Sequence, residues 1–385
     1  MSASEPVVMD TAAAPAASDG VSLVHDYLLV MRGAERTFAA IADLYAQAPI
    51  FTLLYDEQGT GRRFAGRSVS TSPLQRLGAR QSNFRRLLPF YPTAVGRLHL
   101  PPSRLVLSSS SAFAHGVRVP AGAVHVCYCH TPFRYAWYEQ QRALGETPRA
   151  LRALMRAQLR QMRRWDVAAS RRVDAYFANS MLTRERIKRF YGLDATIVHP
   201  PVETQRFAAA EGGDALLMVS EIVRHKRLEV ALEAARRARA PIRVVGSGPD
   251  YALLKERYPE AEFLGRAGDE ELAELYAQAR AVVVPSMEEF GITAVEAQAS
   301  GRPVIAAAVG GALETVLNGS TGLLATLDDV DSFQRAIEAI DRLDFDQARA
   351  VANAERFSVA AFQETVATRV AALLERHAAL HQAYA

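Results

Sequence analysis

"AVVVPSMEEFGITAVEAQASGRPVIAAA", residues 281–308, decides the fold. Its apolar run 281–286 reads as a strand and ends in the loop "SMEEFG". A helical pattern over 291–300 follows, stopped at Gly301, and 303–308 is a second apolar strand. Strand, helix and strand in that order make a parallel pair joined by a crossover helix. The loop and helix also carry two carboxylates, Glu288 and Glu296, between apolar strands.

The same alternation extends outward. Further strands are expected at 215–220, 241–246, 262–265 and 322–325, with helices near 227–239, 250–258, 269–279, 311–318 and 329–342. The front half repeats the theme less regularly, with strands at 21–25, 50–54, 104–109, 124–129, 175–180 and 195–199. Between the halves, "HPPVETQRFAAAEGG" (199–213) bears Pro and Gly and reads as a hinge. The fold class is α/β: two Rossmann-like domains with parallel sheets facing across a cleft. The expected divisions are a disordered tail over 1–20, a first domain over 21–204 and a second over 205–365. A C-terminal helix over 366–385 is placed to pack back on the first domain. Ligands of such sheets sit outside the carboxyl ends of the strands.

Composition narrows the class. With 385 residues, 49% hydrophobic and 23% charged, the chain fits a globular pair of domains, and its apolar runs are of strand length. Neither a basic start nor an apolar core marks residues 1–20 as a leader, so a cytoplasmic location is expected. Cys127 and Cys129 in "HVCYCHTP" fit alternating strand positions better than a metal site, which needs further ligands. The net charge of +3 conceals an asymmetry: Gln58 to Tyr138 holds eleven arginines and no Asp or Glu, which leaves −8 for the remainder. So electropositive a stretch implies an anionic surface or ligand, and its interleaved Leu, Phe and Tyr point to a lipid interface rather than nucleic acid. Arg149, Arg152, Arg156, Arg160 and Arg163 step along one expected helix face, read equally well as solvated or as part of that interface.

The two glutamates have a chemical reading. Gly291 lets backbone approach a ligand at a helix start, where free N–H groups favour phosphate. Carboxylates repel phosphate but bond sugar hydroxyls well. A nucleoside diphosphate sugar needs both kinds of partner. The alternative is two solvated glutamates on a surface loop and helix.

With its flanking strands, "PSMEEFGITAVEAQASGRPVIA" resembles the E-x(7)-E signature of glycosyltransferase family 4, the retaining, metal-independent GT-B enzymes. "HDYLLVMRGAERTF", "CYCHTPFRYAWY", "ANSMLTRERIKRFYG", "IVHPPVETQRF", "SEIVRHKRLEVALEA", "GSGPD", "FLGRAGDEELAELYAQA" and "GGALETV" fall in that family's order, over roughly residues 21 to 365. The front half is most similar to the O-antigen and exopolysaccharide mannosyltransferase branch.

The resemblance implies roles. Glu288 faces the transferred sugar, Glu296 holds the ribose, and the backbone at Phe290, Gly291 and Ile292 meets sugar and phosphate. Lys226 neutralises the leaving diphosphate. It is one of three lysines among 45 basic residues, although an ordinary exposed lysine is the alternative. His130 contacts the donor sugar, against the alternative of a satisfied core histidine. Gly33 lets backbone approach the leaving phosphate and acceptor, with Arg32 where relatives often have a second glycine. Gly265 and Arg266 meet the base. Glu221 stands where relatives commonly carry an arginine, and Arg224 or Arg227 is expected to pair with it and supply the missing charge. "GSGPD" alone is weak, and Tyr251 at the third glycine position counts against NAD.

The resemblance further implies catalytic roles for His130, Glu288 and Lys226, and no metal or cofactor. It implies mannose as the hexose, from GDP-mannose, and a lipid-diphosphate-linked saccharide acceptor at the inner face of the plasma membrane. The rivals are a UDP-sugar enzyme on the same scaffold, a sugar-binding protein, and an inactive nucleotide-sugar-binding subunit.

Overall fold

Two parallel sheets organise the chain, each covered on both faces. The computed structural model describes residues 20–78, 83–145 and 147–384. Apart from Gly20, the tail expected over 1–20 lies outside them, as does Arg80. The first sheet has seven strands in the order β3-β2-β1-β4-β5-β6-β7. These are β1 (Val21–Leu28), β2 (Ile50–Tyr55), β3 (Val69–Thr71), β4 (Leu105–Ser110), β5 (Val124–Cys129), β6 (Ala175–Ala178) and β7 (Thr196–Ile197). The second has six in the order β10-β9-β8-β11-β12-β13. They are β8 (Leu216–Val219), β9 (Ile242–Val245), β10 (Glu262–Gly265), β11 (Val282–Val284), β12 (Val304–Ala307) and β13 (Gly322–Ala325). Every strand pair is parallel, including β11 with β12, which flank the loop 285–291 and its helix.

The strands read from sequence recur within a few residues at either end. β3 was not expected: three half-exposed or exposed residues at a sheet edge carry too short an apolar pattern to be seen. Covered on both faces, the inner strands are buried almost continuously rather than at alternate positions. Cys127 and Cys129 are both buried with free thiols in β5, and burial pushes the Cys127 thiol up.

Strand order places the functional crevices. The order reverses between β1 and β4 in one sheet and between β8 and β11 in the other. Beyond the carboxyl ends at such a switch, the connections part to opposite faces and leave a crevice. Asp26, at the end of β1, fixes one of these four connections. Its buried carboxylate accepts the backbone N–H groups of Ser111, Ala112, Phe113 and Ala114 at 2.6–2.9 Å.

The last helix, Val359–Tyr384, starts well before residue 366. The Ser358 hydroxyl accepts the Ala361 N–H at 3.3 Å and caps its start. Phe362, Val366 and Val370 then enter the apolar layer over the first sheet with Leu23, Phe38 and Tyr128. Where this strand of chain returns, the Val202 N–H donates to the Phe357 carbonyl at 2.8 Å.

The arginine-rich face is less uniform than its spacing implies. In the helix Arg152–Ser170, Arg163 turns inward, donating to the Gln140 side chain at 3.0 Å and lying over the Trp137 ring. An aromatic face within reach draws the guanidinium from solvent. Arg152 donates to the Thr147 carbonyl at 3.2 Å, whereas Arg149, Arg156 and Arg160 are exposed. In the acid-free stretch, Arg63 pairs with Asp43, Arg62 with Glu57, and Arg67 donates to three carbonyls.

Candidate active site

All four switch-point connections converge on one cavity of about 430 Å³. The first sheet contributes Gly33 and Ser111, joined by His130 and Thr131 after β5. The second contributes Ser220, Glu221 and Lys226 after β8, and Ser286 and residues 288–292 after β11. Of the residues singled out from sequence, Gly33, His130, Glu221, Lys226, Glu288, Phe290, Gly291 and Ile292 line this cleft together.

Lys226 sits at the end of the turn Arg224–Lys226. Its ammonium meets both carboxylate oxygens of Glu288, at 2.7 and 2.6 Å. The Ser286 hydroxyl donates to the same carboxylate. Both members are half-buried, at 24% and 21% side-chain exposure, so their charges are only partly screened by water.

The loop bearing Glu288 is held by its neighbour. The Gly311 N–H donates to the Glu288 carbonyl at 2.9 Å. A Cβ on Gly311 would lie 1.9 Å from the Phe290 carbonyl oxygen, so only glycine permits this contact. Gly291, at φ +90°, then turns the chain into the helix Ile292–Ala299. Across the cleft, a Cβ on Gly33 would lie 3.3 Å from the Ile292 side chain. The two domains meet closely at this point.

His130 is buried and hydrogen-bonded through Nε2 to the Ser109 hydroxyl at 2.8 Å. The same hydroxyl lies 3.1 Å from Nδ1 of His25. Burial lowers both imidazoles to about 3, and for His25 the nearby His130 adds to the effect. Both rings are neutral at physiological pH, so His130 offers a positioned hydrogen bond rather than a charge.

Other expected residues lie elsewhere. Arg224 and Arg227 line a separate cavity with Asp250 and Asp328. Arg227 has a left-handed backbone at φ 55°, and its guanidinium pairs with Asp328 at 3.0 Å. That turn directs it away from the cleft. The expected pairing with Glu221 is therefore not formed: among the described residues, no ion pair joins Glu221 to either arginine. Arg266 donates to the Ser247 hydroxyl at 2.7 Å, and the Gly265 carbonyl accepts from Gly246 at 2.6 Å. Both stand further along the same carboxyl edge, outside the cleft lining. Glu296 accepts the Tyr276 hydroxyl at 2.7 Å in an adjoining cavity of about 350 Å³ with Arg36 and Asp269. Ile292 lines both cavities. Burial pushes the Glu296 carboxyl up against that opposing hydrogen bond.

Three residues at or beside the cleft were not anticipated: Glu289, which lines it, and Arg186 and Glu314, which do not. Glu289 pairs with Arg186 at 3.1 Å, and Arg186 also lies 4.0 Å over the Tyr138 ring. Burial alone would raise Glu289, but Arg134 and Arg186 more than offset it and hold the carboxyl below its usual range. The doubled glutamate in "MEEF" was the only available signal. Glu314 is a second crossing contact: its carboxylate accepts the Met181 N–H at 2.9 and 3.0 Å and meets His199 at 2.9 Å.

Two family models match the chain, Glycosyltransferase Family 4 over residues 31–206 and Glycosyl transferases group 1 over residues 202–357. The chain has the two-domain GT-B-type fold, and each of its halves matches a glycosyltransferase family model. A D-inositol 3-phosphate glycosyltransferase of Frankia alni is 37% identical over 179 residues, covering 40% of this chain and 42% of that protein. The alignments to the curated relatives thus span about half of those proteins or less. Among solved structures, Anabaena HepE in complex with UDP superposes with a TM-score of 0.67 at 18% identity, covering 92% of this chain and all of that one. Sucrose-phosphate synthase from Thermosynechococcus elongatus gives 0.69 at 18%, covering 93% and 100%. At such identity these two speak for the fold.

Proposed function

We propose that the protein is a retaining hexosyltransferase that moves a sugar from a nucleoside diphosphate donor to a saccharide acceptor. The observation that carries this is the Lys226–Glu288 pair, set in one cleft with His130 and Gly33 of the other domain. As the bond from the anomeric carbon to the diphosphate oxygen breaks, negative charge gathers on that oxygen. Lys226 stabilises it there, while Glu288 holds sugar hydroxyls. The acceptor hydroxyl attacks from the same face, and its proton passes to the departing diphosphate oxygen. Neutral His130 donates or accepts a hydrogen bond at the sugar and carries no proton through the cycle. The narrow approach of Gly33 to Ile292 limits water at the reacting carbon.

Mannose from GDP-mannose is the first donor assigned, on the resemblance of the front-half motifs. A UDP-sugar is the second reading, favoured by the UDP bound in the similarly folded HepE. Glu296, Gly265 and Arg266 would meet the nucleoside beyond the cleft. The acceptor is assigned as a lipid-diphosphate-linked saccharide, met at the anionic inner face of the plasma membrane. Exposed Leu77 and Phe90 beside exposed arginines support this. Among the described residues, no helix is long and apolar enough to cross a membrane. Donor chemistry independent of metal is expected, so a chelator should leave the rate unchanged.

GDP-, UDP- and dTDP-sugars tested for thermal stabilisation and slow hydrolysis decide the matter. GDP-mannose should give the largest shift and release GDP. Preference for a UDP-sugar would replace the donor only. No response to any nucleotide sugar would overturn the reading.

A further inference from the structure

The first domain holds a second and larger cavity, of about 680 Å³, which shares no lining residue with the cleft. It lies between the segment Pro89–Arg97, the turn at Gly116–Arg118 and the helix Arg152–Ser170. Arg97, Arg118 and Arg172 line it, and no Asp or Glu does. Among the described residues, none of these three guanidinium groups has an ion-pair partner. Arg172 is held in place by donating to the Gly116 carbonyl at 3.2 Å. Gln158 and Gln161 add amides, and the buried Gln158 side-chain nitrogen has no acceptor among the described residues. The indole of Trp165 forms part of the wall, and a Cβ on Gly116 would lie 2.3 Å from it. The close packing fixes the ring.

Arg97, Arg118 and Arg172 are solvent-exposed, so water screens their mutual repulsion, but three guanidinium groups around one concave surface without a carboxylate favour a multiply charged anion. Guanidinium forks match phosphate oxygens, while Trp165 and Met162 offer apolar contact to a group attached to the phosphate. We infer that this cavity is an accessory binding site for a phosphate-bearing ligand, distinct from the donor cleft. It uses Arg97 and Arg118 of the acid-free stretch, which the cleft leaves unused. The same chemistry is offered by a free phosphate compound or by a phospholipid headgroup.

Trp165 supplies a local reporter, because the chain has only two tryptophans. In the Trp137→Phe protein its emission is read alone during titration with inorganic pyrophosphate, and separately with vesicles of phosphatidylglycerol or phosphatidylcholine. A saturable change with pyrophosphate, weakened about tenfold or more in Arg97→Gln/Arg118→Gln, supports a site for free phosphate compounds. A change with phosphatidylglycerol vesicles alone, lost in the same variant, assigns the headgroup. No change with either, or a change the double variant leaves intact, overturns the inference. Should Trp137→Phe fail to fold, hydrogen exchange of the unaltered chain reads the same site. Protection over residues 114–118 and 158–172 with either probe supports it, and unchanged exchange there overturns it.

Discussion

Lys226 and Glu288 carry opposite charges into one half-buried spot, so each is expected to matter for a different part of the donor. Lys226→Ala and Glu288→Ala should each lower kcat by about 10²-fold, as the loss of a contact made in the transition state does. Near-normal kcat in Glu288→Ala would remove the centre of the proposed function. Glu221 behaves differently. It is exposed, lines the cleft, and forms no ion pair with Arg224 or Arg227. At an effective dielectric of ~20, a carboxylate ~5 Å from a diphosphate costs about 3 kcal/mol before solvent screening. Glu221→Gln should therefore lower donor KM with little change in kcat, and steady-state kinetics at fixed acceptor measure it. A raised KM would restore the idea that Glu221 orients its segment. His130 is the third test. Its folded value of about 3 lies below the 6.5 of an unfolded histidine, so the folded state binds fewer protons between those limits. Its contribution to stability is complete above pH 6.5 and is lost as pH falls toward 3. The rate should then show no inflection near pH 6.5 due to His130. An inflection there that vanishes in His130→Asn would contradict a neutral ring.

At the level of elements, the loop 285–291 owes its position to "GGALETV" as much as to its own residues. Gly311→Ala places a methyl group against the Phe290 carbonyl. It should cost about 1–3 kcal/mol of stability and lower kcat by moving Glu288. A thermal melt and kcat both unchanged would show that the loop stands without this contact. Strand and helix positions were legible because both sheets are buried on two faces, and their apolar runs stand out between polar connections. Gly33, Lys226 and Glu288 follow strands at a switch point and His130 follows β5, one strand further along, so the motifs that pick these residues out of the sequence bring them to one cleft. Arg224 and Arg227 were not. Their direction depends on a left-handed backbone at Arg227, a conformation that an arginine's intrinsic preferences disfavour. Glu289 and Glu314 escaped for another reason. Their partners, Arg186 and His199, lie over a hundred residues away in sequence, beyond any local pattern.

For the whole molecule, the acid-free stretch predicts behaviour at a surface. Leu77 and Phe90 are 64% and 56% exposed, and Leu151 and Leu154 are 51% and 67% exposed near Arg149 and Arg156. Such a mixture of apolar tips and guanidinium groups should sediment with anionic vesicles and be released by salt. Equal binding to neutral vesicles, or none to either, would rule out the membrane assignment. The path of the chain between the domains has a mechanical result. It crosses once near residue 200 and returns near residue 358, and the crossings lie side by side, joined by the Val202–Phe357 hydrogen bond. A body hung on one thread can twist freely, but one hung on two adjacent threads swings most readily about a restricted set of axes. Opening of the gap between Gly33 and Ile292 should then follow those axes. Cutting the return crossing would leave both halves folded around their own sheets yet deprive them of a common pivot.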